Sequence, residues 1–304
     1  MKTTRIVLIF NPSSGSPADS PQRLLQILLS LQEQSIFPQV YLTSTEDRLE
    51  AFIKQSLHDG TGCFAVCGGD GTIGCAARAL AGSAALLAII PTGTQNNIAM
   101  SLQIPIDIPS AAGLITRGKA LSIDLGYVTT AGKRRPFIEV CSLGLISALF
   151  PSADHIQHGD LAGIGDFLSL LVSTPGASFT LDMDGDRHLR TPGHSVLISN
   201  MPFLGPHFQI APDSSCHDGL LDVMVFSDMT RLDLIDYALP GVGQDENAPV
   251  ADPRLQHFHV RKLTISSDPP LPILADGASL GEGSMTLEVK RQALKVLVAG
   301  SYKT

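Results

Sequence analysis

Between Arg5 and about Gly118 one pattern repeats: a short apolar run, a turn, then apolar residues at helical spacing. The strand-like runs are Arg5 to Phe10, Gln39 to Thr43, Gly62 to Cys67 and Leu86 to Ile90. Helical spacing follows in Pro21 to Gln34, where Leu24, Leu25, Ile27, Leu28 and Leu31 share a face. It returns from a Thr45-Glu46-Asp47 cap to about Leu57, and again from Thr72 to Leu80. Strands separated by helices need crossover connections. The order β-α-β-α-β-α-β therefore predicts a parallel sheet.

The character changes after Ile123-Asp124-Leu125-Gly126. Short strands are expected at Gly126 to Thr130, Arg135 to Ser142, Ser178 to Met183, Ser195 to Ser199 and Leu221 to Phe226. More follow at His257 to Ser266, and at Ser284 to Val289 with Leu294 to Val298. Turns at Thr130-Ala131-Gly132-Lys133, Asp184-Gly185-Asp186 and Asp218-Gly219 separate several of them. Helical stretches are expected near Leu161 to Val172 and Thr230 to Leu239, and an exposed loop over Asp245 to Pro253. The reading is an α/β domain over 1–124 and an antiparallel β-sandwich or barrel over 125–304, whose last strand can return to the first domain.

Composition narrows the function. With 44% hydrophobic and 16% charged residues, the chain has ample material for a core, and disorder is excluded for most of the chain. No apolar run approaches the ~18 residues that span a bilayer. The first apolar run stops at Asn11-Pro12, so no signal peptide is expected. The five cysteines show no paired metal spacing, as free thiols of a cytoplasmic protein would not. A net charge of −8 argues against broad binding to nucleic acid. Lys133-Arg134-Arg135 reads as a charged hairpin tip. His155, His158 and Asp160 fit a solvated loop better than a metal set, and His257 and His259 share one face of a strand.

Chemistry concentrates at strand ends. Gly68-Gly69-Asp70-Gly71-Thr72 joins an expected strand to an expected helix, where backbone N–H groups can receive phosphate. Asp70 would repel bare phosphate; it suits a site that holds Mg²⁺ or that needs organising, or else it is the N-cap of a tight turn. Asn11-Pro12-Ser13-Ser14-Gly15 follows the first strand and Pro91-Thr92-Gly93-Thr94-Gln95-Asn96-Asn97 the fourth. Ligands of parallel sheets bind beyond the carboxyl ends of strands, so these loops should converge on one crevice.

Together these elements resemble the diacylglycerol kinase catalytic-domain family, which includes bacterial lipid kinases, sphingosine kinases and ceramide kinases. The likeness runs over nearly the whole chain. It takes in Ile123-Asp124-Leu125-Gly126, Asn200 with Gly205-Pro206, Ala211-Pro212 before Asp218-Gly219-Leu220-Leu221-Asp222, and Ala275-Asp276-Gly277. The Gly-Gly-Asp-Gly-Thr element is shared with NAD kinases; the Pro-x-Gly-Thr-x-Asn element and the β-rich second domain point to the lipid kinases. The resemblance implies an ATP site made by Asn11, Thr43, Gly68, Gly69, Asp70, Gly71, Thr72, Gly93, Thr94 and Asn96. It implies Mg²⁺ held by the Ser215 carbonyl, Asp218 and the Leu220 carbonyl, although Asp218-Gly219 also reads as an ordinary turn. It implies transfer of the ATP γ-phosphoryl to a lipid hydroxyl, of diacylglycerol or sphingoid type, with transient contact to a membrane surface. Asp70 and Asp276 are the catalytic candidates. Leu143 to Phe150 and Leu161 to Val172 would line the acceptor site, or simply pack in the core.

The departures bear on activity. Ser16 stands where Lys or Arg is usual, Asn97 where Asp is, and Gly74-Cys75 where Asn-Glu is. Ala278 replaces the Glu that serves the family as general base, which predicts weak turnover. Asp276 is then the remaining base candidate, and Glu282 could substitute. By strand alternation Ala278 should lie on the same side as Asp276. A nucleotide- or lipid-binding protein without catalysis, or a kinase for a soluble alcohol or NAD, also remains open.

Overall fold

Four strands, β1 (Arg5–Phe10), β2 (Gln39–Leu42), β3 (Thr61–Gly68) and β4 (Leu86–Pro91), pair in parallel in the order β2-β1-β3-β4. Helices α1 (Ser20–Gln32), α2 (Glu46–His58) and α3 (Asp70–Leu80) make the crossovers, as the alternating pattern requires. This computed structural model describes residues 5–43, 45–145, 176–203, 214–227 and 255–302. The expected helices at 161–172 and 230–239, the loop at 245–253, the group at positions 155, 158 and 160, the 205–206 and 211–212 matches, and the 146–150 part of the acceptor lining lie outside the described residues.

Two helices escaped the sequence reading. α4 (Asn97–Ser101) is a single short turn, and α5 (Ile108–Arg117) is capped by Asp107, whose Oδ1 accepts the Ser110 N–H at 2.9 Å. Asp followed by Pro inside the first turn was its signal.

β5 (Lys119–Thr130) runs straight through the expected junction at Asp124-Leu125 and pairs antiparallel with β16 (Met285–Val298). β16 also lies parallel beside β4, so the end of the chain extends the first sheet. That sheet continues through β13 (Lys262–Asp268), β8 (Ala177–Met183) and β9 (Arg187–Gly193), while β6 (Lys133–Phe137) pairs with β5. A second, six-stranded sheet is antiparallel throughout. It contains β12 (Leu255–Val260), β11 (Leu221–Phe226), β10 (Ser195–Ser199), β7 (Val140–Gly144), β14 (Pro272–Ala275) and β15 (Ala278–Glu282), in that order. Phe179, Leu181, Leu263 and Ile265 from the first sheet meet Leu143, Val196, Val223 and Ile273 from the second in a buried sandwich core.

Three expected segments are divided differently, each for a local reason. Arg135 to Ser142 is two strands, because the N–H groups of Ile138, Glu139 and Val140 turn to the Asp276 carboxylate. His257 to Ser266 breaks at Arg261, where Asp184 Oδ1 takes the N–H groups of Arg261 and Lys262. The last two segments are one strand, irregular between Lys290 and Leu294, with Gln292 left-handed (φ 52°). The Lys133-Arg134-Arg135 cluster is on β6 rather than at the tip. Arg134 pairs with Glu288 and lies 3.9 Å over the Tyr127 ring.

Candidate active site

The loops after β1, β3 and β4 leave one edge of the parallel sheet and are locked to each other. Asn11 Nδ2 donates to Thr72 Oγ1 at 2.8 Å. Arg23, on α1, donates to the carbonyls of Ser14 and Ser16, each at 2.6 Å, and to that of Thr92 at 3.0 Å. One guanidinium thus holds the first loop against the third. Gly93 lies so close to the second loop that a Cβ on it would stand 2.4 Å from Gly69 Cα. A side chain there would force the loops apart. Asn96, left-handed with φ 56°, closes the third loop: Oδ1 accepts the Gly93 N–H and Nδ2 donates to its carbonyl, both at 2.9 Å.

Asn11, Thr43, Gly71 and Thr72 line a cavity of about 310 Å³, together with Thr45, Glu46 and Leu49 at the start of α2. In the adjoining loops Gly69 and Gly93 are half-buried and Thr94 exposed, while Gly68 and Asn96 are buried. Asp70 does not cap its own helix; Gly69 occupies that position. Its carboxylate reaches across to start α4, where Oδ2 accepts the Asn97 N–H and Oδ1 the Ile98 N–H, each at 3.0 Å. Burial raises the Asp70 pKa, and these amide bonds act against the rise.

The other wall of the cleft comes from the second sheet. Asp276 and Gly277, both left-handed (φ 44° and 74°), form the turn between β14 and β15. Asp276 Oδ1 accepts the N–H groups of Glu139 at 2.9 Å and Val140 at 3.2 Å. Oδ2 accepts from Ile138 N at 2.9 Å and from Arg78 Nη1 at 3.4 Å. A carboxylate has about four lone-pair directions, so all are in use. Arg78, on α3, also donates to Glu46 Oε2 at 3.2 Å, which links the cavity wall to Asp276. Burial raises the Asp276 pKa; the amides and Arg78 oppose it.

Two expectations at this turn are corrected. Ala278 pairs directly opposite Ala275 and shares its face, because a two-residue turn interrupts the alternation that holds along one strand. Glu282 is exposed at the far end of β15, opposite Pro272. At ~3.3 Å per residue it is about 13 Å from Ala278 and does not reach the turn.

Sequence reading passed over Glu139. Burial raises its pKa well above the usual carboxyl range, and Asp70 and Asp276 raise it further. Its nearest relief is Asn97 Nδ2, 3.4 Å from Oε1. The signal was a lone acid in the apolar run Phe137 to Cys141. Arg78 was equally legible as the one charge in the buried stretch of α3.

The Ser215-to-Leu220 loop is anchored by Asp124, which is fully buried. Asp124 Oδ2 accepts the Gly219 N–H at 2.7 Å and Oδ1 the Gln292 N–H at 2.6 Å. Asp218, exposed, accepts the Leu220 N–H at 2.9 Å in a local Asx turn. The Ser215 and Leu220 carbonyls with the Asp218 carboxylate offer hard oxygen alone, the donor chemistry that suits Mg²⁺.

Comparison with known proteins agrees with this architecture. Residues 5–128 match the diacylglycerol kinase catalytic domain, and residues 165–298 match the YegS C-terminal NAD kinase beta sandwich-like domain. The chain belongs to the diacylglycerol kinase catalytic-domain family. A Bacillus subtilis diacylglycerol kinase is 28% identical over 78% of each chain. An uncharacterized Synechocystis protein is 26% identical over 97% of this chain and 70% of its own length. A diacylglycerol kinase crystal structure from Bacillus anthracis superposes with a TM-score of 0.76 at 21% identity, covering 100% of both chains, which shows the shared fold. Among the described residues no helix is long and apolar enough to cross a membrane.

Proposed function

We propose that this family member transfers the γ-phosphoryl group of MgATP to a lipid hydroxyl in the cleft between the parallel sheet and the β14–β15 turn. The observation that carries this reading is the meeting of the three strand-end loops with Asp276 across Arg78. Phosphoryl transfer depends mainly on positioning and charge stabilisation, and this cleft is built for both. The cavity beside Asn11, Thr43 and Thr72 receives the nucleoside, and the glycine loop at Gly69 faces its phosphates. Mg²⁺, when bound with the nucleotide, neutralises charge that develops on the transferring group.

Asp70 acts by fixing α4 against the glycine loop. Asp276 orients Arg78 and the 138–140 backbone, and its filled lone pairs make it a poor proton acceptor. The acceptor proton therefore leaves slowly, and turnover is low. The lipid approaches from a membrane surface while the protein remains in the cytoplasm, and the Ser215–Leu220 loop holds a structural Mg²⁺.

The test is transfer from γ-labelled ATP to diacylglycerol and sphingoid bases in mixed micelles, with NAD and glycerol as soluble acceptors and Asp70→Asn as control. Labelled lipid that disappears in the control supports the reading. Labelled NAD alone would replace it with the soluble-acceptor reading. MgATP binding without any labelled product would replace it with a binding protein.

A further inference from the structure

Away from the cleft, three ligating side chains converge on the six-stranded sheet. Asp222 is on β11, and His257 and His259 are on β12, its edge neighbour. Asp222 stands directly opposite His259, and His257 opposite Met224. Leu221, Val223 and Val225 fill the sandwich core, so the alternating Asp222 and both histidines occupy the other face. His257 Nε2 is 2.8 Å and His259 Nε2 3.1 Å from the same oxygen, Asp222 Oδ1. Ligand atoms of all three lie within 4.8 Å of one another.

Asp222 is only 3% exposed, and a carboxylate so buried must be paired or must coordinate a metal. Among the described residues its ion-pair partners are these two rings. The ring centroids are 4.7 Å apart, so two imidazolium charges would repel strongly. A single dication in place of the Nε2 protons satisfies all three groups. Donors on a tetrahedral ion with bonds of ~2.0–2.1 Å are about 3.4 Å apart, so each histidine–Asp222 spacing need widen by only a few tenths of an ångström. Backbone pairing of β11 with β12 fixes that spacing in advance. Two imidazoles and a carboxylate suit Zn²⁺ and its neighbours, whereas the oxygen-only loop at Ser215, Asp218 and Leu220 suits Mg²⁺.

We propose that Asp222, His257 and His259 bind a transition-metal ion of the Zn²⁺ class, which clasps the edge strand β12 to β11. The proposal is independent of the kinase reading. Tag-free full-length protein is titrated with Zn²⁺ and with Co²⁺ in millimolar Mg²⁺. The expected result is one equivalent bound, a visible Co²⁺ band without thiolate charge transfer, and a melting temperature raised by Zn²⁺. His257→Ala should weaken binding by about tenfold or more, as loss of a metal ligand does. His259→Gln, which retains a donor toward Asp222, should melt like the metal-free parent and lose the Zn²⁺-dependent rise. No binding at micromolar protein, a thiolate band, or unchanged affinity in both variants would each overturn the proposal.

Discussion

Replacing Asp276 by Ala should cost stability as well as activity. The side chain accepts from three backbone N–H groups and Arg78 where the β14–β15 turn meets the β6–β7 connection. It is only 8% exposed. Each buried donor left unsatisfied costs ~1–3 kcal/mol, and water entering the space left by the carboxylate recovers part of that. A net loss of about 3 kcal/mol follows. Asp276→Asn keeps one carbonyl oxygen for Glu139 and Val140, but turns an amide NH₂ toward Ile138 N–H and Arg78. Its loss should be smaller, about 2 kcal/mol. The chain has no Trp, so urea unfolding is best followed by far-UV circular dichroism. If both variants unfold within ~0.5 kcal/mol of the parent, the ordinary range for surface changes, the carboxylate is not holding this junction together and the argument fails. If they unfold as expected, activity lost in either variant is not by itself evidence of a general base.

Four further outcomes follow. Asp70→Asn should remain folded, losing ~1 kcal/mol as a helix cap does, while MgATP affinity by calorimetry or turnover falls; unchanged values for both would remove Asp70 from the site. Asp218→Ala should abolish any rise in melting temperature produced by millimolar Mg²⁺, and a persisting rise would place the metal elsewhere. Ala278 shares the core-facing side of Ala275, so Ala278→Glu should lower stability without raising lipid turnover, and Glu282→Gln should leave turnover unchanged; a rise of about tenfold or more in Ala278→Glu, as a positioned base supplies, would refute the placement of that side chain. Glu139 has a raised pKa in the folded state, so the stability it lends is complete below its ordinary value of 4.5 and is lost as pH rises through the folded value. Glu139→Gln should therefore gain on the parent in chemical denaturation as pH rises from about 4.5 toward the folded value, by up to ~1.4 kcal/mol per pH unit, and level off above it; parallel pH profiles would refute it.

Much of the first domain was legible because period and punctuation coincide there. Strands β1, β3 and β4 each contain an unbroken apolar run, and Asn11-Pro12, Gly68-Gly69 and Pro91 mark where these end, whereas β2 is short and largely exposed. Convergence of the loops followed from parallel topology alone. The sandwich was harder to read, since its boundaries are set by side chains distant in sequence: Asp276 divides β6 from β7, and Asp184 divides β12 from β13. Strand β9 is polar along most of its length and gave no periodic signal. Glu139 and Arg78 were visible as isolated charges in apolar stretches. Their connection to Asp276 was not, because 137 and 198 residues of chain intervene.

The departures from the family pattern fit together once the cleft is seen as an electrostatic unit. Positions 97 and 278, acidic by family habit, are Asn and Ala in this chain, and Asn97 lies at the cleft. Asn97 gives its backbone N–H to Asp70 and its side-chain amide to Glu139. A carboxylate at position 97 would face Glu139 across the same short distance, with Asp70 and Asp276 already raising the Glu139 pKa. Like charges so placed cannot all ionise. The neutral amide and the buried acid are therefore matched, and restoring an acid at 97 alone would add a further like charge beside a carboxyl whose pKa is already raised. Position 278 differs, since it lies past the turn on the face of Ala275 rather than between Asp70 and Glu139. A carboxylate there would turn with Ala275 toward the sandwich core, so an acid at 278 does not by itself return a base to the cleft.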